Sequence, residues 1–142
     1  MPRTSRWLVR TALLYLVAGT ALGGVLLAAP AAGGLGWWRA HAELMLFGWV
    51  LQLAMGVAYW ILPKHAAGPA RGSEMLAAWI HPLLNAGIGI SAIAWLALLP
   101  PALLAAGRTL ELSAVAAFAV VAWPRVKPFG IGREPGPGNG EQ

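Results

Sequence analysis

Four polar residues stand inside apolar stretches of the sequence, and their side chains could do chemistry: His41, Gln52, His81 and Asn85. Polar side chains are costly within a membrane, so such residues mark candidate functional sites. His41 is the most informative, because a neutral imidazole in an apolar pocket is a common way to hold haem iron. The alternative is an interfacial histidine that is hydrogen-bonded to lipid headgroups.

The residues that follow His41 support a haem-b site. On a helix of about 3.6 residues per turn, one face carries His41, Met45, Gly48, Gln52, Met55 and Tyr59. A glycine on that face would let a flat ring approach the helix, and Arg39 could neutralise a haem propionate. The predicted cofactor-binding set is Trp38, Arg39, His41, Met45, Gly48 and Gln52, with His41 on the iron.

The two remaining histidines have other predicted roles. His81 precedes Pro82 and shares a helix face with Asn85. It could be a second haem ligand or a proton relay, but a hydrogen bond to a neighbouring helix is favoured. At 1.5 Å per residue it lies roughly 20 Å from the depth of His41, so the two cannot bind one iron within a protomer. His65 is expected in a solvated loop.

Two glutamates lie near one end of the apolar stretches. Glu111 follows Arg108 by three residues, a helical spacing that predicts a local ion pair. Glu43 is two residues past His41 and therefore points to a different face of the helix, where contact with another protomer is expected.

The composition is that of a membrane protein. Apolar residues make up 58% of the 142 residues and charged residues 11%, with a mean hydropathy of +0.66, whereas a soluble domain carries about 25% charge. The absence of cysteine excludes disulfides, thiolate metal sites and covalent c-type haem. The net charge of +5 comes from short polar gaps, which argues against nucleic-acid binding.

The apolar stretches predict an all-α, polytopic membrane protein with four transmembrane helices. The expected spans are residues 7–29, 39–62, 75–99 and 102–123, within one domain over 1–124. Gly19 and Gly23 in the first span could pack closely on another helix, or could simply face lipid. Residues 125–142 are rich in glycine and proline and are predicted to form a disordered cytoplasmic tail.

The distribution of Lys and Arg predicts the orientation. One side of the bilayer would hold Arg3, Arg6, Arg10, Lys64, Arg71, Arg125, Lys127 and Arg133, and the other only Arg39 and Arg108. Both termini are therefore expected in the cytoplasm of a bacterial-type inner membrane, with His41 near the outer surface.

The second span resembles the second transmembrane helix of subunit I of the haem–copper oxidase superfamily. Its closer branches are the C-family oxidases and the large subunit of nitric oxide reductase. The resemblance is carried by His41, Leu44-Met45, Phe47-Gly48-Trp49-Val50, Gly56, Tyr59 and Leu62-Pro63, with a looser match at Asn85-Ala86-Gly87. It implies that His41 is an axial ligand of a low-spin haem b near the outer face.

The chain also departs from that family. The family's core has three four-helix arcs, and this chain would form one. It lacks the copper-binding histidines, so neither copper nor reduction of oxygen or nitric oxide by this chain alone is expected. Because the family takes its two low-spin haem ligands from different arcs, the resemblance implies a homo-oligomer, a dimer or trimer, in which His41 of two protomers shares a haem.

Two functions follow from these features. The chain could be a haem-binding membrane protein for electron transfer or for gas or haem sensing. Alternatively, it could be a cofactor-free structural or assembly subunit of a respiratory complex.

Overall fold

Four long helices dominate the computed structural model, which describes residues 1–31, 33–64 and 73–126. Helix accounts for 87% of these residues, and no strand occurs among them. The helices are α1 (Arg3–Ala28), α2 (Gly34–Ile61), α3 (Glu74–Leu96) and α4 (Pro101–Ala122), the last followed by a 3₁₀ turn, Trp123–Arg125. Each is long and apolar enough to cross a membrane, which confirms the all-α prediction with four candidate spans.

Parts of the prediction fall outside the described ranges. His65, Arg71, Lys127 and Arg133 are among them, as is the predicted tail of residues 125–142 except for Arg125 and Val126.

The helix ends differ from the predicted ones by a few residues. α1 begins at Arg3 and not at residue 7, because arginine side chains can extend from a helix end towards water. α3 ends at Leu96 and not at 99, since Leu98 adopts a positive φ of 50°. α4 begins with Pro101, at a position where the missing N–H of proline costs nothing.

The second helix has an internal change of hydrogen bonding. Its ends, Gly34–Glu43 and Gln52–Ile61, are α-helical, whereas Leu44–Leu51 is π-helical. π-Helical turns are rare and are frequently found at functional sites. The stretch begins three residues after His41, which places it directly beside the candidate ligand.

Glycines let α1 lie close against α2. A β-carbon at Gly19 would meet the sulfur of Met45 at 2.6 Å, and one at Gly23 would meet His41 at 2.7 Å. Near the other end of the interface, the Ser5 hydroxyl donates to the carbonyl oxygen of Gly56. Gly19 and Gly23 therefore form a packing surface for α2.

α3 and α4 form a second close crossing. A β-carbon at Gly87 would lie 2.8 Å from the Gly107 carbonyl oxygen, so the two backbones nearly touch. The buried core joins all four helices and includes Leu8, Met55, Ile80, Leu84, Ile88, Ala114 and Val121. Successive helices run antiparallel, so the N-terminal ends of α1 and α3 lie with the C-terminal ends of α2 and α4.

Arg125 stabilises the end of the bundle where α2 ends. Its guanidinium group donates to the carbonyl oxygens of Tyr59, Leu62 and Pro63, at 3.0, 2.7 and 2.9 Å. The last carbonyls of a helix have no partner within the helix, and Arg125 therefore caps the C-terminus of α2.

Candidate functional site

His41 lies at the interface of α1 and α2 with its ring orientation fixed. Its Nδ1 atom is 2.9 Å from the carbonyl oxygen of Gly19. A carbonyl oxygen can only accept a hydrogen bond, so Nδ1 carries the hydrogen and Nε2 of the neutral ring has a free lone pair. Histidines that bind metals are commonly held in this way, by a carbonyl that fixes the tautomer.

An apolar groove adjoins the imidazole. It has a volume of about 370 Å³ and is lined by Thr20, Gly23, Gly24, Leu27, Trp38, His41 and Met45. The Trp38 ring stands edge-on to His41, with 6.4 Å between ring centroids, and is 43% exposed. The groove therefore opens to the outside of the bundle and is closed on its other side by α1 and α2.

The structure brings three of the six predicted cofactor-binding residues to this groove: Trp38, His41 and Met45. Gly48 does accept a flat ring, but that ring belongs to Tyr15, whose Cγ would lie 2.6 Å from a β-carbon at Gly48. Arg39 lies away from the groove, with its guanidinium carbon 4.6 Å from the centre of the Trp95 ring.

Gln52 also lies outside the groove, in a polar cluster between α1, α2 and α3. Its amide nitrogen donates to the Leu8 carbonyl and to Thr11 Oγ1, and lies 3.5 Å from Asn85 Oδ1. His81 Nε2 is 3.3 Å from the same Thr11 oxygen. This bears out the favoured interpretation of His81, a hydrogen bond to a neighbouring helix.

Glu43 and Glu111 share one arginine. Arg108 is 2.6 Å from Glu111 Oε2, which confirms the predicted local pair, and it also donates through both terminal nitrogens to Glu43. Ser91 donates to the other oxygen of Glu111 at 2.9 Å. Glu43 does point away from His41, but it is buried against Arg108 of its own chain, so the expected contact with another protomer is not needed to explain it.

The donor set at the groove suits haem better than a bare metal ion. Within the three described ranges, no three His, Cys, Asp or Glu side chains converge as a metal site would require. Haem needs only an axial ligand from the protein, since the macrocycle supplies the other nitrogens. His41 Nε2 has the lone pair that such a ligand needs, and the groove beside it is apolar.

Sequence reasoning missed the α1 side of the groove. Thr20, Gly24 and Leu27 line it, Gly23 makes room for the imidazole, and Gly19 makes room for Met45. The G-xxx-G spacing marked this face as a packing surface, but spacing alone does not say which helix will pack there.

No protein-family model, no curated protein and no solved structure matches this chain. The resemblance to haem–copper oxidase subunit I thus rests on the residues of α2 and on the looser match at Asn85-Ala86-Gly87 of α3.

Proposed function

We propose that this chain is a haem-b-binding integral membrane protein in which His41 supplies an axial ligand to the iron. The observation that carries the proposal is the hydrogen bond from His41 Nδ1 to the Gly19 carbonyl, which leaves Nε2 free beside an apolar groove. Haem would supply one-electron chemistry and affinity for diatomic gases. Electron transfer and gas or haem sensing are the functions that fit.

The chain's own residues would act as follows. His41 holds a nitrogen lone pair in a fixed direction. Leu27, Trp38 and Met45 keep water from the iron side of the imidazole. The carbonyl of Gly19 maintains the tautomer and the orientation of the ring.

The open side of the groove supports a homo-oligomer. A haem ring lying against α1 and α2 would stay exposed on its other face, and a second copy of the groove would cover it with a second His41. A dimer built in this way would bind one haem for its two protomers, whereas a trimer would leave one of its three His41 side chains without a partner. A respiratory-chain partner would exchange electrons with it.

The same proposal includes the orientation. Both termini lie in the cytoplasm of a bacterial-type inner membrane, and His41 lies near the outer surface. The support is the excess of Lys and Arg at the end of the bundle that carries both termini.

Haem binding is tested by purifying the full chain in detergent from haem-replete cells and recording its absorption spectrum. The expected result is a Soret band that is lost in His41→Ala and kept in His81→Ala, a matched histidine deletion on α3. Both variants are first checked for helical content and monodispersity, because a misfolded chain would also lose colour.

Three outcomes decide the proposal. A Soret band that depends on His41, with about half a haem per chain and a six-coordinate spectrum, supports both the site and the sharing between protomers. One haem per chain with a five-coordinate spectrum overturns the sharing alone. A folded but colourless wild-type protein that also fails to take up added haem overturns the site.

A cofactor-free structural subunit is the second candidate. The observation in its favour is that the buried polar clusters around Gln52 and Arg108 are explained by helix packing alone. The colourless outcome above, together with co-purification of a respiratory complex, would favour this function.

A further inference from the structure

A second cavity lies at the opposite end of the bundle from His41. Its volume is about 550 Å³, within the usual range for small-molecule sites. Its floor is α3, and its walls come from the beginning of α1 and from Tyr59 of α2. It lies at the level of the first residues of α1 and α3, where a membrane gives way to water.

The floor of this cavity is a flat, acceptor-rich strip of α3. Glu74, Ala77, Ala78 and His81 fall at i, i+3, i+4 and i+7 and therefore share one helix face. The two alanines leave open space between a carboxylate and an imidazole about two helical turns apart. Trp7 stands over the strip, with its ring centroid 6.0 Å from that of His81.

The hydrogen bonds of Thr11 decide which nitrogen of His81 is an acceptor. The single hydroxyl hydrogen of Thr11 goes to the Trp7 carbonyl, at 2.8 Å. With that hydrogen on the Trp7 carbonyl, we assign the 3.3 Å contact with His81 Nε2 as one that the Thr11 oxygen accepts. Neutral His81 consequently carries its hydrogen on Nε2 and offers the lone pair of Nδ1.

Pro82 adds a further acceptor to the floor. In an α-helix the carbonyl of Ala78 accepts from the N–H four residues later, but that residue is proline and has no N–H. The Ala78 carbonyl thus lacks its usual helical donor. The strip now offers three acceptors: the Glu74 carboxylate, the Ala78 carbonyl and Nδ1 of His81.

We propose that this cavity binds a membrane quinol, through the hydroxylated ring of its reduced form. Such a ring is flat, has a hydroxyl donor at each end to meet the acceptors of α3, and can lie beneath the indole of Trp7. Trp7 is 52% exposed, so the cavity is open at its edge, where an apolar tail could leave it. The proposal is independent of haem binding, since no residue of the cavity lines the His41 groove.

The test measures binding of a short-chain alkyl benzoquinol to the full chain in lipid nanodiscs under anaerobic conditions, by titration calorimetry. Saturable binding is expected, with the oxidised quinone binding more weakly because it has no hydroxyl to donate. His81→Phe keeps a ring but removes the acceptor, and it should weaken quinol binding about tenfold, the cost of one hydrogen bond left unmade.

A matched pair of variants tests whether the quinol binds in this cavity. Ala78 and Ala86 are both exposed alanines on α3, but only Ala78 lines the cavity. Ala78→Leu should fill the floor and abolish binding, whereas Ala86→Leu should leave it unchanged. Both substitutions add an apolar side chain at an exposed position, so neither is expected to unfold the bundle.

Two results would overturn the inference. One is equal uptake of quinol by the wild type and Ala78→Leu, which would mean partition into the lipid of the disc. The other is an anionic phospholipid that quinol does not displace, seen by native mass spectrometry on the wild type and lost in Ala78→Leu. Quinol binding that is unchanged in His41→Ala would show that this site does not depend on haem binding at His41.

Discussion

Arg108 holds together two carboxylates that are almost completely removed from solvent. The side chains of Glu43 and Glu111 are 1% and 3% exposed, and that of Arg108 is 35% exposed. The guanidinium group also lies over the Phe47 ring, at 4.8 Å from its centre. One residue thus connects α2 to α4, and through Glu111 and Ser91 to α3.

Replacing Arg108 with methionine should destabilise the bundle by about 3 kcal/mol, the lower end for breaking a buried ion pair, because Arg108 is partly exposed. The measurement is unfolding in mixed micelles with increasing SDS. Arg10→Met, at an exposed position of α1, is the matched control and should have little effect.

The double variant Arg108→Met with Glu43→Gln should recover part of the lost stability, since one unpaired carboxylate is removed with the arginine. Equal stability of Arg108→Met and Arg10→Met would contradict the view that this network holds the helices together.

Among the helices, the crossing of α3 and α4 depends on the absence of side chains. Gly87 faces the backbone of Gly107, whereas Gly89, two residues further along α3, has nothing within 4 Å of the position of a β-carbon. The same element therefore contains a glycine that packing requires and one that it does not.

Gly87→Ala should destabilise the protein by about 1–3 kcal/mol, because the added methyl group forces the two backbones apart. Gly89→Ala should instead be neutral or stabilise it by up to about 1 kcal/mol, since alanine favours the helix. Unfolding curves of the two variants under identical micelle conditions decide the matter. A loss of stability in Gly89→Ala as large as that in Gly87→Ala would speak against this crossing.

The existence and order of the helices could be predicted because long apolar stretches and their Pro- and Gly-rich breaks are local features. The π-helical stretch at Leu44–Leu51 could not, since its hydropathy is that of any apolar helix. The pairing of Glu43 with Arg108 joins residues 65 positions apart. Contacts of that kind depend on how the helices pack, which no local pattern in α2 or α4 contains.

The candidate site was predictable to the same extent. His41 and Met45 share a helix face by spacing alone, and both line the groove. The same spacing assigned Gly48 and Gln52 to the cofactor, although that face lies against α1 for most of its length. Tyr15 and Thr11 occupy the space beside them.

For the whole molecule, the proposed orientation has a direct test because the chain contains no cysteine. Single cysteines are introduced at Ala31 and Leu99, in the two turns at the end of the bundle near His41, and at Gln142. A membrane-impermeant maleimide should label Ala31→Cys and Leu99→Cys in intact cells, and Gln142→Cys only after the membrane is opened. The reverse pattern would place His41 on the cytoplasmic side.

Because of its π-helical stretch, α2 can change in length without a change in the directions in which its two ends face. In an α-helix, removing one residue turns everything beyond it by about 100°. A π-helical turn closes its hydrogen bond over five residues and not four, so it holds a residue that an α-helical turn would lack. Losing one residue between Leu44 and Leu51 can thus restore α-helical bonding while His41 and Gly56 still face α1. Across the described ranges, α2 is the helix from which an evolving chain can lose a residue without turning either end of the helix away from its neighbour.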